Sequence, residues 1–125
     1  MNVVRPAIFV AALTLGLTAL DAEAAGPADG EKVFKRTCAA CHSPEAGKNR
    51  VGPSLFNVYG RPSGSIENFK YSDAMKNAHW TWDEPSLDKY LTSPKAAIPG
   101  NKMIFVGLKK DDDRKNLISY LETLK

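Results

Sequence analysis

Both cysteines of the chain and one of its two histidines fall in a single run, Cys38-Ala39-Ala40-Cys41-His42. Two thiols at this spacing, with an imidazole directly after them, suit three chemistries. The first is a pair of thioether links to a haem, with His42 supplying a nitrogen to the iron. The second is a redox-active dithiol. The third is zinc, for which the sequence adds only the distant His79 as a ligand of that kind. A structural disulfide would close too small a loop to constrain the unfolded chain. Dithiol sites sit at the end of a strand in a βαβ setting, and no good strand pattern is present.

A haem bound at His42 needs a second axial ligand to close its other side. The candidates are Met75, Met103, His79 and any deprotonated lysine. Met103 is the best placed: it follows the rigid Pro99-Gly100 pair and precedes the apolar Ile104-Phe105-Val106, so it can be held in a buried crevice. A thioether there favours Fe(II) relative to two imidazoles. Without the Cys-x-x-Cys-His run, Met103 would read equally well as a gap-filler in the core. Pro53 offers a carbonyl and no N–H, so it can accept from the second nitrogen of His42 and fix the ring. Arg61, Tyr71 and Trp82 are donors that could meet buried propionates, or could be ordinary amphipathic residues. His79 reads as a solvated or hydrogen-bonded histidine.

The elements that must position these groups follow from charge and periodicity. A basic start with Arg5, an apolar stretch from Pro6 to Leu20 and an A-x-A pattern at Ala22-Glu23-Ala24 read as a secretory signal, cleaved after Ala24. The apolar run is short for a spanning helix, which wants about 20 residues, although a retained anchor is the alternative. Residues 25–125 then form one domain small enough that a large apolar cofactor would complete its core. Removing Arg5, Asp21 and Glu23 takes 17 basic and 14 acidic residues to 16 and 12, a net charge of +4. That excess is moderate and dispersed, which argues against nucleic acid and for steering toward an acidic partner.

Within the domain, Gly30, Val33, Phe34, Thr37, Cys38 and Cys41 recur at helical spacing, with Asp29 as a candidate cap. Ser72 can cap a short helix from Asp73 to about Ala78, and Thr81 or Asp83 opens another with Pro85 in its first turn, stopped by Pro94. Residues 96–103 read as irregular. Asp111-Asp112-Asp113 supplies caps and negative charge for a last helix with Leu117, Ile118, Tyr120, Leu121 and Leu124 as its stripe. The expected class is all-α, about four to five helices joined by long loops that something must order.

The sequence resembles a class I cytochrome c of the mitochondrial and short soluble bacterial type, over essentially all of residues 25–125. The likeness rests on Gly30 with Phe34, the Cys38 to His42 run, Gly52-Pro53-Ser54-Leu55, Tyr59-Gly60-Arg61 and Tyr71-Ser72-Asp73-Ala74. It continues through Thr81-Trp82, Tyr90-Leu91, Pro94-Lys95 and Ile98-Pro99-Gly100-Asn101-Lys102-Met103-Ile104-Phe105, then Asp113 to Leu121. It implies the small cytochrome c fold, first and last helices crossing, wrapped round one covalent haem c. Carried over, it implies thioether bonds at Cys38 and Cys41, axial ligation by His42 and Met103, and Pro53 accepting from His42. Tyr90 would lie near the Met103 sulfur, and Arg61, Tyr71 and Trp82 round the propionates, with Asn101 also in the pocket. Two departures stand out: Met75 where relatives commonly carry asparagine, and Asn101 where threonine is usual.

The function so implied is one-electron transfer through the exposed haem edge by a monomer that is not an enzyme. The alternative is a haem peroxidase or gas-binding cytochrome with a labile sixth ligand. Expected partners are membrane redox complexes (a quinol-oxidising complex, terminal oxidase or reaction centre) or a periplasmic redox enzyme, in an exported, periplasmic setting. Docking is expected through Lys32, Arg50, Lys95, Lys102, Lys109 and Lys110.

Overall fold

The computed structural model describes residues 25–125, so the signal expected at residues 1–24 lies outside it. Five helices follow in order: α1 (Pro27–Thr37), α2 (Asp73–Lys76), α3 (Glu84–Thr92), α4 (Pro94–Ala97) and α5 (Asp111–Glu122). Among the described residues there is no strand, only an isolated antiparallel bridge between Pro62 and Thr81.

Helix α1 opens on Gly26 with Pro27 in its first turn, where a missing N–H costs nothing. Asp29 is therefore not the cap; it sits inside the first turn, near the positive end of the helix, and pairs with Lys32 at 2.9 Å. The helix buries Gly30, Val33 and Phe34 and ends at Thr37, leaving Cys38 as its C-terminal cap and Cys41 in the turn beyond.

Helix α5 crosses α1, and Gly30 sets how closely. A Cβ there would lie 1.9 Å from the Asn116 carbonyl oxygen, so any side chain would force the helices apart. The Gly26 N–H donates to Asn116 Oδ1 at 2.9 Å, and the Phe34 and Tyr120 rings pack 5.4 Å apart. Leu117, Ile118 and Leu121 face inward with Val33, Phe34, Leu87 and Leu91. Burying each such chain contributes about 1.5 to 3 kcal/mol.

A second capping expectation, after that at Asp29, needs correction. The triplet Asp111 to Asp113 lies in the first turn of α5, not at its N-cap, which is Lys110. Asp111 instead meets the guanidinium of Arg114, a buried charge that also bonds Asp88 at 2.8 Å and the carbonyls of Leu108 at 2.9 Å and Lys109 at 3.2 Å. For α3, which either Thr81 or Asp83 was expected to open, the cap is Asp83, which accepts from Ser86 N. Ser72 caps α2 as expected, but that helix ends at Lys76. Pro94 stops α3 and also begins α4, so the stretch expected to be irregular from Ala96 starts inside a short helix.

Candidate functional site

One cavity of about 430 Å³ runs through the domain, within the range of about 300 to 1,000 Å³ common for ligand sites. All ten residues expected at the site line it: Cys38, Cys41, His42, Pro53, Arg61, Tyr71, Trp82, Tyr90, Asn101 and Met103. Every helix except α4 contributes to its wall, as do the loops on either side of α2.

The His42 side is fixed by geometry. Its N–H and that of Cys41 both donate to the Cys38 carbonyl, at 2.9 and 3.1 Å, so the pentapeptide coils into a tight turn off the end of α1. The buried ring lies with Nδ1 2.7 Å from the Pro53 carbonyl. A carbonyl can only accept, so Nδ1 carries the proton and Nε2 keeps its lone pair. Burial lowers the imidazole's pKa, while the Pro53 bond works in the opposite direction. The neighbouring Gly52 was part of the quoted motif, but its reason lies in contact: a Cβ there would be 2.2 Å from His42 Cε1. Cys38 and Cys41 form no disulfide, and burial pushes the Cys38 thiol up.

The Met103 side is as ordered. Its Sδ receives the Tyr90 hydroxyl at 3.4 Å, an ordinary length for sulfur. Burial pushes Tyr90 up to about 12, so this hydroxyl keeps its proton at neutral pH. Asn101 Oδ1 accepts from Met103 N at 2.9 Å, and Asn101 Nδ2 donates to the carbonyls of Pro94 and Ile98, each at 2.8 Å. Met75 lines the same cavity from α2, whereas His79 is exposed.

The polar end gathers Arg61, Tyr71 and Trp82. Arg61 donates to the carbonyls of Phe56 at 2.9 Å and Ser54 at 3.1 Å, and its buried Nε has no protein partner. Trp82 N donates to Arg61 O, and the Trp82 ring packs on Tyr90 at 4.9 Å. The Tyr71 hydroxyl accepts from Ile66 N, so its own proton is free to donate elsewhere. Lys102 crosses from the Met103 segment, donating to the Lys70 carbonyl with its ammonium 5.5 Å from the Phe69 ring centre. That reach had no signal in the sequence, since 32 residues separate the partners.

The donor set fits a covalently held haem. Two thiols and a correctly tautomerised imidazole lie on one apolar cavity with a thioether, and an unpartnered guanidinium N–H suits a carboxylate. Zinc finds no comparable setting: among the described residues no group of three His, Cys, Asp or Glu side chains gathers. The six expected docking cations are all exposed. Lys32 pairs with Asp29, Arg50 donates to Ala39 O at 3.1 Å, and Lys109 donates to Thr92 O at 2.7 Å. Val51 and Ile104 contribute exposed apolar surface to the cavity.

Comparison with known proteins identifies the family. The family model described as Cytochrome c matches residues 27–125. Cytochrome c2 iso-2 of Magnetospirillum molischianum is 62% identical over 88 residues, covering 70% of this chain and 91% of that protein. Cytochrome c2 of Rhodomicrobium vannielii is 49% identical over 125 residues, covering 98% and 97%. Cytochrome c of Chlamydomonas reinhardtii is 48% identical over 106 residues, covering 84% and 95%. The chain therefore belongs to the cytochrome c family, and is an electron-transfer protein carrying covalently bound haem c rather than an enzyme.

Proposed function

We propose that Cys38 and Cys41 form the thioether bonds, that His42 and Met103 are the two axial ligands, and that the protein is a periplasmic shuttle between redox complexes. The observation that carries the ligand assignment is the sharing of one cavity by His42, with its Nε2 lone pair left free, and Met103, with its sulfur held by Tyr90. When bound, the haem supplies a reversible Fe(III)/Fe(II) couple.

The chain's own work is to hold that couple rigid and dry. Pro53 and Gly52 fix the His42 ring, and Tyr90 and Asn101 fix Met103. Arg61, Tyr71 and Trp82 receive the propionates, with the Arg61 Nε as one donor. Leu87, Leu91, Leu117 and Leu121 keep water from the apolar wall. A closed sixth position gives no place for peroxide or a gas to bind, which sets this reading against the peroxidase alternative.

Electrons enter and leave at the surface. Lys102 and the apolar Val51 and Ile104 lie at the cavity. Lys32, Arg50, Lys95, Lys109 and Lys110 add dispersed positive charge suited to a weakly docked acidic partner of small contact area. The partners proposed are a quinol-oxidising complex, terminal oxidase or reaction centre, or a soluble periplasmic enzyme. Export rests on the pattern of residues 1–24, and the Rhodomicrobium relative matches over 98% of the chain, well into that segment. No helix among the described residues is long and apolar enough to cross a membrane.

The oxidised protein is expected to show the weak far-red thioether-to-iron band and to lose it in Met103→Ala. A high-spin spectrum would overturn the ligand assignment. Partner reactions are expected to slow with added salt, and a flat response would remove the docking surface. The mass of the exported protein reports cleavage after Ala24.

A further inference from the structure

The Met103 segment is held by few elements of regular structure. Between Ala97, the end of α4, and Asp111, the start of α5, the chain has no helix or strand. Something other than a backbone ladder must keep the sulfur in place. The Asn101 side chain has three well-formed hydrogen bonds to backbone: Nδ2 to Pro94 O and to Ile98 O, both 2.8 Å, and Oδ1 from Met103 N at 2.9 Å. Both amide hydrogens and the carbonyl are thus engaged. A fourth contact, to the Tyr90 hydroxyl at 3.4 Å, is too long to add much.

The pattern is directional. The two carbonyls belong to the first residue of α4 and to the residue that caps its end, and the N–H belongs to Met103 itself. One planar amide therefore ties both ends of α4 to the backbone that bears the sulfur. We propose that Asn101 is a positioning residue for the sixth ligand, a clamp that keeps the Met103 segment closed on the cavity. This rests on Met103 being that ligand.

A hydroxyl side chain could not reproduce the clamp, having a single hydrogen to give where Asn101 gives two. A carboxylate would keep the bond from Met103 N while facing two carbonyl oxygens with no hydrogen to offer. The clamp is broken when the segment opens but is independent of the α1 and α5 crossing. Its removal should therefore raise the open population without requiring the fold to loosen elsewhere.

The test uses the holoprotein in its oxidised form with free imidazole, which can bind iron only after the Met103 sulfur has left. Loss of the far-red band reports binding. Asn101→Ala is expected to bind imidazole at least tenfold more tightly, with Asn101→Asp also tighter than the parent. Tyr120→Leu, which weakens the distant crossing, should leave imidazole affinity within twofold while lowering the urea midpoint. Affinity within twofold of the parent for both Asn101 variants, with the far-red band present, would overturn the clamp and leave the Met103 assignment standing. A parent spectrum unaltered by Met103→Ala would overturn both, and so separates the failure of the ligand reading from that of the clamp.

Discussion

Replacing Gly52 by alanine should show how tightly the His42 ring is seated. The added methyl would lie 2.2 Å from His42 Cε1 and 2.7 Å from Nδ1, against ordinary contact from 3.4 Å. The ring or the loop must move by about 1.2 Å, the difference between those first and last figures. The Nδ1 to Pro53 bond is 2.7 Å long, so a displacement of that size along it carries the pair past hydrogen-bonding distance. Leaving a buried imidazole N–H unpaired costs about 1 to 3 kcal/mol. Overpacking costs about 1 to 3 kcal/mol more. The expected loss is thus about 2 to 6 kcal/mol, a large share of the 5 to 15 kcal/mol typical of a small domain. Urea titration of the oxidised holoprotein followed by far-UV circular dichroism measures it, and the midpoint potential should change as the ring turns. A loss below about 1 kcal/mol together with an unchanged potential would refute the reasoning.

Other substitutions test separate parts of the frame. Arg114→Met removes two bonds to backbone carbonyls, about 1 kcal/mol each, and two pairs with exposed carboxylates that add about 0.5 each. Urea titration should show a loss of about 2 to 3 kcal/mol, and no change would contradict its place as the tie between α3 and the 108–110 segment. Ser72→Ala deletes the cap on Met75 N at 3.1 Å and should lower stability by about 1 kcal/mol in the same titration. The Asp83 carboxylate, accepting from Ser86 N, lies below its ordinary value of 3.8. The stability it contributes is complete above that value and is lost as pH falls through the depressed one, so Asp83→Asn should flatten the acid limb of stability measured by urea midpoints. An equally steep limb in that variant would assign acid sensitivity to other groups.

What the sequence could reveal was chemistry that depends on neighbours in the chain or on a residue's own covalent structure. The Cys38 to His42 run is local, and proline's missing N–H made Pro53 an acceptor before any contact was known. The apolar stripe of α5 and the helical spacing of α1 could be read from the chain itself, whereas their crossing came from the resemblance to class I cytochromes c. Groups whose role comes from distant partners were not legible. Arg114 sits one position past three aspartates with nothing in its neighbours to mark it, yet it is buried with Asp88 and the Leu108 carbonyl as partners. Asn101 was placed in the pocket by resemblance alone; its three backbone partners depend on the short α4, which four residues opened by a proline do not announce. Asp29 and Asp111 looked like caps, but each sits inside a first turn and finds a basic residue three positions on. Local preference for negative charge at a helix start does not say which residue comes first.

The crossing of α1 and α5 joins residues as much as 90 positions apart, as in the Gly26 to Asn116 bond. A chain that emerges from its N-terminus therefore presents Cys38 and Cys41 long before Asp111–Glu122 exists to close over Val33 and Phe34. Closing so long a loop is also slow. The two thiols thus appear in the chain well before the helix whose Leu117 and Leu121 complete the wall of the cavity they share.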